Sequence, residues 1–410
     1  MKKLFAYTIC MIMMSSCFRE NSEIHIIDID SPAESIELKL SDLLKDIKVI
    51  PLETKDDVLL AAQGVFKVSS KYIVYYSSSE MHLFDKDGKH LKLLTISGGG
   101  PNEFSQVSNA FINDENDMLY YTDPRNRRVL YRIDLISGRY LDPIETQGED
   151  LRMSYMDNTG NIYGFFPVEQ LKILSGNDKR DTSSCYIAHK YNINKGTIEG
   201  IEVPGSYISS GLNRFVFEHN DDIYIYDSSY SDTLFNYRQN KLSPAMIVKM
   251  KDIMADMQVG GNVLNTELAY EGGFLFNHSY AKIDIKTGLS GNIESITVMR
   301  PTKNYLIADR KSGSLSVIKS FYIDPIGATI NITKAIDREQ RDSQPLGINE
   351  FIKKSGDYGF CLIDAYKMES LIEEALSGDK LSIPEKEALR KLGTTINEDS
   401  NPVIITGKIR

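Results

Sequence analysis

Short apolar and aromatic runs, separated by polar turns, dominate the chain from residue 71 to residue 361. Six runs are rich in Tyr, Ile, Val and Phe and are bounded by Asp, Asn, Gly and Ser: 71–76, 117–121, 161–165, 222–226, 303–307 and 357–361. β-Branched and aromatic residues between turn-forming residues are typical of strands. The pattern predicts an all-β protein.

Partner strands follow several of these runs at a short distance. Residues 81–85, 129–134 and 233–237 are strand-like, and the first two lead into turns at Asp87-Gly88 and Ser137-Gly138. A four-stranded unit of roughly 40 to 50 residues, repeated with insertions, is typical of a propeller blade. Such meanders bury their faces only against neighbouring meanders, whereas a two-sheet sandwich would be too small for this chain. We therefore predict a six-bladed β-propeller over residues 34–410.

Helical spacing of apolar residues occurs in three places. It predicts short helices at 246–257, inserted in the fourth blade, and at 365–376 and 384–392, the last opened by Ser382-Ile383-Pro384-Glu385. A strand at 402–406 follows. Because a strand that returns after helices can pair with an early strand, we expect it to close the ring and remove an open sheet edge.

The first sixteen residues have the order of a secretory signal. Lys2 and Lys3 precede an apolar run at 4–14 and then Ser15-Ser16-Cys17. The run is too short to span a bilayer. The serines before Cys17 resemble a bacterial lipobox, which predicts a lipoprotein signal peptide at 1–16, lipid attachment at Cys17 and a lipidated tether at 17–33. An ordinary cleaved signal with an incidental cysteine is the alternative.

Composition excludes two broad classes. With 41% hydrophobic and 10% aromatic residues, the chain can bury a substantial core and is not intrinsically disordered. Lys and Arg number 47 against 57 Asp and Glu, a net charge of −10, so no basic face is available for nucleic acid. Cys185 and Cys361 lie in strand-like runs, which favours buried thiols over a disulfide, although an oxidising envelope would permit one.

Three separated motifs carry a resemblance to a known family. They are Leu40-Ser41-Asp42 followed by Ile50-Pro51-Leu52-Glu53-Thr54, the loop from Gly98 to Phe104, and the ending from Glu398 to Ile404. Together with the lipobox they resemble the six-bladed β-propeller lipoproteins of Bacteroidota, which are related to NHL-type propellers. Asn102, where Gly is common, and the insertion near Met246 depart from the pattern. The resemblance implies an outer membrane lipoprotein, on the periplasmic face or the cell surface.

The glycine-rich loop is the first candidate site. Gly98-Gly99-Gly100-Pro101 lacks the Gly-Lys-Ser/Thr of a phosphate loop and the spacing of a dinucleotide loop. We predict an interblade turn with glycines at positive φ, with Phe104 anchored in the core and with Glu103 bonded to the loop backbone. A ligand-binding role for Glu103 is the alternative. Asp85-Lys86-Asp87-Gly88 predicts a hairpin turn, because the remaining ligands of a calcium loop are missing.

Arg125, Arg127 and Arg128 form the densest basic spot in this acidic chain. If their turn faces the mouth of the ring, they could bind a uronate or another carboxylate; a solvated turn is the alternative. Thr233, in Asp232-Thr233-Leu234, resembles the site at which Bacteroidota attach O-glycans, although Asp before a strand is also ordinary turn chemistry. The six histidines show no metal-binding spacing, so we expect no metal site and no cofactor.

Two main functional hypotheses follow. The first is a non-enzymatic binding or scaffolding propeller, anchored to the membrane by its lipid, that holds a glycan, a peptide or an envelope protein. The second is an extracellular lyase or hydrolase with its active site in the propeller funnel, but no catalytic residues stand out in the sequence. A subunit of an outer-membrane uptake complex, docking through an apolar patch, is a further possibility.

Overall fold

The computed structural model of the protein describes residues 24–61, 64–100, 103–146, 152–157, 159–165, 184–204, 214–220, 222–227, 231–249, 260–287, 293–332 and 348–410. Strands β1 to β27 and helices α1 to α3 are numbered in chain order. Within these ranges, six separate sheets account for all the strands. This arrangement confirms the predicted six-bladed propeller.

Each blade is built on four antiparallel strands, which are named below in order from the axis of the ring outward. Blade 1 comprises β4 (Val65–Val68), β5 (Tyr72–Tyr76), β6 (Glu80–Asp85) and β7 (His90–Ile96). Blade 2 comprises β8 (Asn109–Asn113), β9 (Met118–Asp123), β10 (Asn126–Asp134) and β11 (Tyr140–Glu145). Blade 3 comprises β12 (Arg152–Met156), β13 (Asn161–Phe165), β14 (Ser184–Asn192) and β15 (Thr197–Pro204). Blade 4 comprises β16 (Arg214–His219), β17 (Asp222–Asp227), β18 (Thr233–Arg238) and β19 (Lys241–Lys249). Blade 5 comprises β20 (Gly260–Tyr270), β21 (Gly273–Thr287), β22 (Ile293–Asp309) and β23 (Leu315–Ile323). Blade 6 comprises β25 (Ile348–Ser355), β26 (Tyr358–Ile363), β27 (Val403–Ile409) and, as its outer strand, β3 (Leu44–Pro51). In blade 5, β24 (Ala328–Asn331) also pairs with β23.

The aromatic runs of the sequence mark the most buried strands. Five of the six runs fall on second strands, namely β5, β9, β13, β17 and β26, and nearly every residue of these strands is buried. A second strand packs against neighbouring blades on both faces, so both sets of alternating side chains are apolar. The run at 303–307 is different, because it lies in β22, the third strand of blade 5.

The ring closes between the two ends of the described chain, as predicted. β27 pairs antiparallel with β26 on one side and with β3 on the other. Asn401 strengthens this closure, because its amide Nδ2 donates to the carbonyl oxygens of Glu53 at 2.8 Å and Val58 at 2.6 Å. Two of the motifs behind the family resemblance are thus in direct contact.

Part of the segment predicted as a tether belongs to the propeller. β1 (His25–Asp28) pairs in parallel with β19, and β2 (Glu34–Lys39) pairs in parallel with β23. These two strands cover the outer edges of blades 4 and 5, where unpaired backbone groups would otherwise face water. The predicted boundary at residue 33 was therefore too late, since folded chain begins by His25.

Two of the three predicted helices are confirmed. α1 (Leu40–Leu43) is one short turn, while α2 (Ala365–Ser377) and α3 (Ile383–Gly393) match the predicted pair, and Ser382 and Glu385 form a capping box at the start of α3. The prediction at 246–257 was wrong for its first four residues, which belong to β19. Met246 and Val248 are buried, and this alternation fits a strand that pairs on both sides. The rest of that segment lies outside the described residues.

The apolar core lies mainly between blades. One cluster joins Val74 and Leu83 of blade 1 to Leu119 and Tyr121 of blade 2. Within the described ranges no helix combines the length and apolar character needed to cross a membrane.

Candidate functional site

The first strands of the blades surround a central channel. Consecutive first strands contact one another around the axis, from β4 through β8, β12, β16 and β20 to β25. A cavity of about 570 Å³ occupies the end of this channel at which the first strands finish. Its walls come from all six first strands and from the turns that follow β4, β8, β12 and β25. Cavities of this size typically hold a small molecule.

Hydrogen bonds hold the turns at the rim of this cavity. The carboxylate of Asp114, after β8, accepts from the backbone N–H of Ser70 at 2.8 Å and from its hydroxyl at 2.6 Å, which ties blade 2 to blade 1. Asp157, after β12, accepts from the backbone N–H groups of Thr159 and Asn161. Short polar side chains that bond nearby backbone are typical of tight turns. The rim is therefore built from braced turns.

Two lysines from different blades lie in the cavity wall. Lys67 of β4 donates from Nζ to Asn109 Oδ1 at 3.2 Å and lies 5.7 Å from the centre of the Phe111 ring. Lys354 of β25 donates from Nζ to the carbonyl oxygen of Glu218 and lies 5.3 Å from the centre of the Tyr155 ring. Each ammonium group is held by one neutral oxygen and one aromatic face.

Burial changes the protonation of both lysines. It lowers the pKa of Lys67 to about 8, with a smaller contribution from the positive charge of Lys353. It also lowers the pKa of Lys354 to about 8, against the attraction of the Glu218 and Asp357 carboxylates. Both side chains are therefore largely charged at neutral pH and lose charge in mildly alkaline solution.

Neither lysine is among the site residues predicted from the sequence. They occur in the similar segments Lys67-Val68-Ser69-Ser70 and Lys354-Ser355-Gly356-Asp357, each just before a strongly predicted second strand. A lysine at the next-to-last position of the strand before such a run becomes a usable signal only once that strand is known to face the axis.

A pair of histidines is also brought together without any motif. His82 Nδ1 of β6 lies 3.1 Å from His90 Nε2 of β7, and His82 Nε2 lies 3.2 Å from the Glu80 carboxylate. Burial lowers the pKa of His90, and His82 adds to the effect. In the described part of the chain, no three His, Cys, Asp or Glu side chains form a group that could hold a metal ion.

The glycine-rich loop has the predicted anchor but different backbone geometry. Phe104 is buried, and the carboxylate of Glu103 accepts from the backbone N–H of Gly100 at 2.7 Å. The prediction of positive φ was wrong for Gly98, Gly99 and Gly100. A Cβ at position 98 would overlap the Glu103 carboxylate, so an alanine there would require this flexible side chain to move.

The arginine turn lies between β9 and β10, on the face of the ring opposite the cavity. Arg125 and Arg128 are exposed and Arg127 is half-buried, around a depression of about 330 Å³. Three residues, 127–129, bulge out of register with β9, and such bulges redirect side chains. Asp123 holds the turn, since it accepts from the Arg125 backbone N–H at 2.8 Å and from the Ser105 hydroxyl just after Glu103.

The arginine turn and the Glu103 loop are therefore neighbours, but neither lines the channel cavity. The anion-binding role of these residues stays a prediction.

The remaining predicted positions lie apart from the channel cavity or outside the described part. Thr233 begins β18, half-buried, and its Oγ1 accepts from the Ser231 hydroxyl at 2.9 Å. Cys361 is a buried free thiol in β26. Cys185 belongs to the backbone of β14, and its side chain lies outside the described part. Cys17 also lies outside the described residues. The turn at Asp85 is the predicted hairpin turn, with Gly88 at φ +87°.

Solved structures with a similar fold include a protein of Bacteroides fragilis that is described as exported. It is 12% identical with a TM-score of 0.55, and the match covers 92% of this chain and 99% of that one. The N-terminal domain of Nup159 is also 12% identical, with a TM-score of 0.40 and coverages of 83% and 81%. None of the curated proteins compared with this chain matches it.

A family model extends over the whole propeller. It is described as a domain of unknown function, DUF4934, and it matches residues 24–408. This range begins just before β1 and ends within β27, so it includes every strand of the ring. The chain therefore belongs to the DUF4934 family.

Proposed function

We propose that the protein is a binding module of the bacterial cell envelope that holds a small ligand in the central channel of its propeller. The cavity at the channel end is the observation that carries this proposal. It combines a volume suited to a small molecule with polar side chains from several blades, and the hydrogen-bonded turns around it keep its shape. A ligand there would contact several blades at once.

We also propose that Cys17 carries the lipid that anchors the module to the outer membrane, on its periplasmic face or on the cell surface. The charged, apolar and small-residue order before Cys17 supports this. The similarity to a Bacteroides fragilis protein described as exported agrees with it. An anchored ring would keep a captured ligand at the membrane.

A thermal-shift measurement tests the binding proposal. The full chain, expressed with its own signal and purified in detergent, is heated with uronates, neutral sugars, short peptides or divalent metals. A ligand at 100 times its dissociation constant stabilises a protein by about 2.7 kcal/mol, which is measurable. Ser154→Trp fills the cavity from an exposed position in its wall, and Ser370→Trp on the exposed face of α2 is the matched control.

We expect a ligand from this panel to stabilise the wild-type chain and Ser370→Trp but not Ser154→Trp. An equal shift in both variants would place binding elsewhere and refute the channel site. Conversion of the ligand to a product would favour the lyase or hydrolase hypothesis. No shift with any compound would refute small-molecule binding and leave an envelope protein as the partner to seek by crosslinking.

The anchor is tested by cell fractionation. Cys17→Ala should leave the fold unchanged and release the chain from the membrane fraction, because two acyl chains supply most of the membrane affinity of a lipoprotein. Retention of this variant in membranes would refute the anchor without affecting the channel proposal.

A further inference from the structure

We infer that the channel cavity binds a carboxylate-bearing ligand and that Lys67 and Lys354 in its wall supply the positive charge that attracts the carboxylate. The inference rests on the proposed function, since it names the chemistry of the same site. A uronic acid and the carboxyl end of a short peptide both present this group.

Neither Lys67 nor Lys354 bonds directly to an anionic group in the described part of the cavity wall. Lys67 bonds to a side-chain amide oxygen and Lys354 bonds to a backbone carbonyl oxygen, and both acceptors are neutral. In the ranges that the structure describes, neither lysine forms an ion pair. Partly buried cations are stable when an anion completes their surroundings. The two ammonium groups are therefore available to a carboxylate that enters the channel.

Aromatic rings position the two ammonium groups. Phe111 and Tyr155 each present a ring to one lysine at 5.7 Å and 5.3 Å. A cation over an aromatic face is attracted to it and keeps its full charge. The rings thus fix the direction of each lysine before any ligand arrives, which reduces the entropy lost on binding.

Carboxylates line the rim of the cavity. Asp114, Glu115, Asp157 and Asp357 lie on the turns there, whereas Lys67 and Lys354 lie on strands farther into the channel. A ligand with many negative charges would be repelled at the rim. A ligand with one carboxylate and a neutral or cationic remainder could place its carboxylate near the lysines and its remainder near the carboxylates of the rim. This arrangement favours a uronic acid monomer or a zwitterionic peptide over a polyanion.

The lowered pKa of both lysines gives a diagnostic pH dependence. A bound carboxylate favours the charged form, so the affinity should be highest below pH 8. Above pH 8 it should fall by about tenfold per pH unit for each lysine that binding requires. The charges of Lys353, Glu218 and Asp357 also act on these two lysines.

Titration calorimetry on the full chain in detergent tests the inference. The probes are galacturonate against galactose, and a Gly-Gly-Gly peptide with a free carboxyl end against the same peptide amidated. The variants Lys67→Met and Lys354→Met keep the apolar stem and remove the charge. Lys380→Met is the matched control, because Lys380 lies 4.9 Å from the Tyr322 ring and is not part of the cavity wall.

We expect one carboxylate probe to bind at least about tenfold more tightly than its neutral counterpart. Which of the two binds identifies the source of the carboxylate. Each cavity variant should remove this advantage, Lys380→Met should retain it, and Lys67→Arg should retain part of it. The melting temperature of each variant shows whether a lost signal reflects lost charge or lost folding.

Three results would overturn the inference in distinguishable ways. Equal binding of charged and neutral probes, blocked by Ser154→Trp, would keep the channel site and refute the role of the lysines. Carboxylate binding that survives both Lys67→Met and Lys354→Met would refute the role of the lysines, and its response to Ser154→Trp would show whether it occurs in the channel. No binding of any probe would refute the inference, and the broader ligand panel would then decide whether the channel proposal also fails.

Discussion

The hydrogen bonds of Asn401 join the two ends of the propeller, and their removal should cost a large part of its stability. Nδ2 donates to Glu53 and Val58, Oδ1 accepts from the backbone N–H of Leu60 at 2.9 Å, and the backbone N–H donates to Thr54 Oγ1 at 2.9 Å. Asn401 is only 4% exposed. Asn401→Ala keeps the backbone bond and removes the three side-chain bonds.

The magnitude follows from the count and the burial. A net contribution of about 1 kcal/mol per hydrogen bond gives a loss of about 3 kcal/mol, and the groups left behind are too enclosed to regain full hydration. An unfolding entropy of about 2.1 cal/mol/K per residue gives roughly 0.8 kcal/mol/K for a chain of this length, so the melting temperature should fall by about 4 °C.

Urea unfolding of the wild type and variants, followed by circular dichroism, measures the difference. Asn116→Ala is the control, because Asn116 is exposed and its amide makes a single bond to the Tyr120 hydroxyl, so its effect should stay within about 0.5 kcal/mol. If Asn401→Ala costs no more than Asn116→Ala, the contact between the chain ends does not stabilise the ring.

Three further predictions concern other parts of the ring. Gly98→Ala should lower the melting temperature only slightly, because the new Cβ displaces the flexible Glu103 carboxylate from its bond to the Gly100 N–H, whereas Gly99→Ala, in open space, should match the wild type. Burial and nearby cations lower the pKa of His219 to about 4 from 6.5, so the unfolded chain binds a proton that the folded chain excludes between these values. The stability from His219 is then complete above pH 6.5 and lost as the pH falls to 4; equal slopes of unfolding free energy against pH in the wild type and His219→Asn would contradict this. Burial raises the pKa of the Cys361 thiol to about 12, so mass mapping should find it alkylated only in denaturant.

Local sequence patterns determined most of the fold. The second strands were predictable because both of their faces are buried, which produces continuous aromatic and β-branched runs such as 72–76 and 222–226. Turns were predictable where a residue has one conformational or hydrogen-bonding role, as at Gly88 and at Ser382. The closing strand was predictable because an unpaired strand after two helices needs a partner, and the free edge of β3 provides it.

The tertiary structure decided everything that depends on which strand meets which. Residues 246–249 satisfy both helical and strand spacing, and pairing with β1 and β18 selects the strand. The arginine cluster was visible in the sequence, but its position on the face away from the cavity follows from the alternating direction of the strands. Lys67 and Lys354 lie at opposite ends of the chain, so no local pattern relates them. Ring closure places β4 beside β25, where the Val68 backbone N–H donates to the Ser355 hydroxyl, and only this long-range contact brings the two positive charges into one channel.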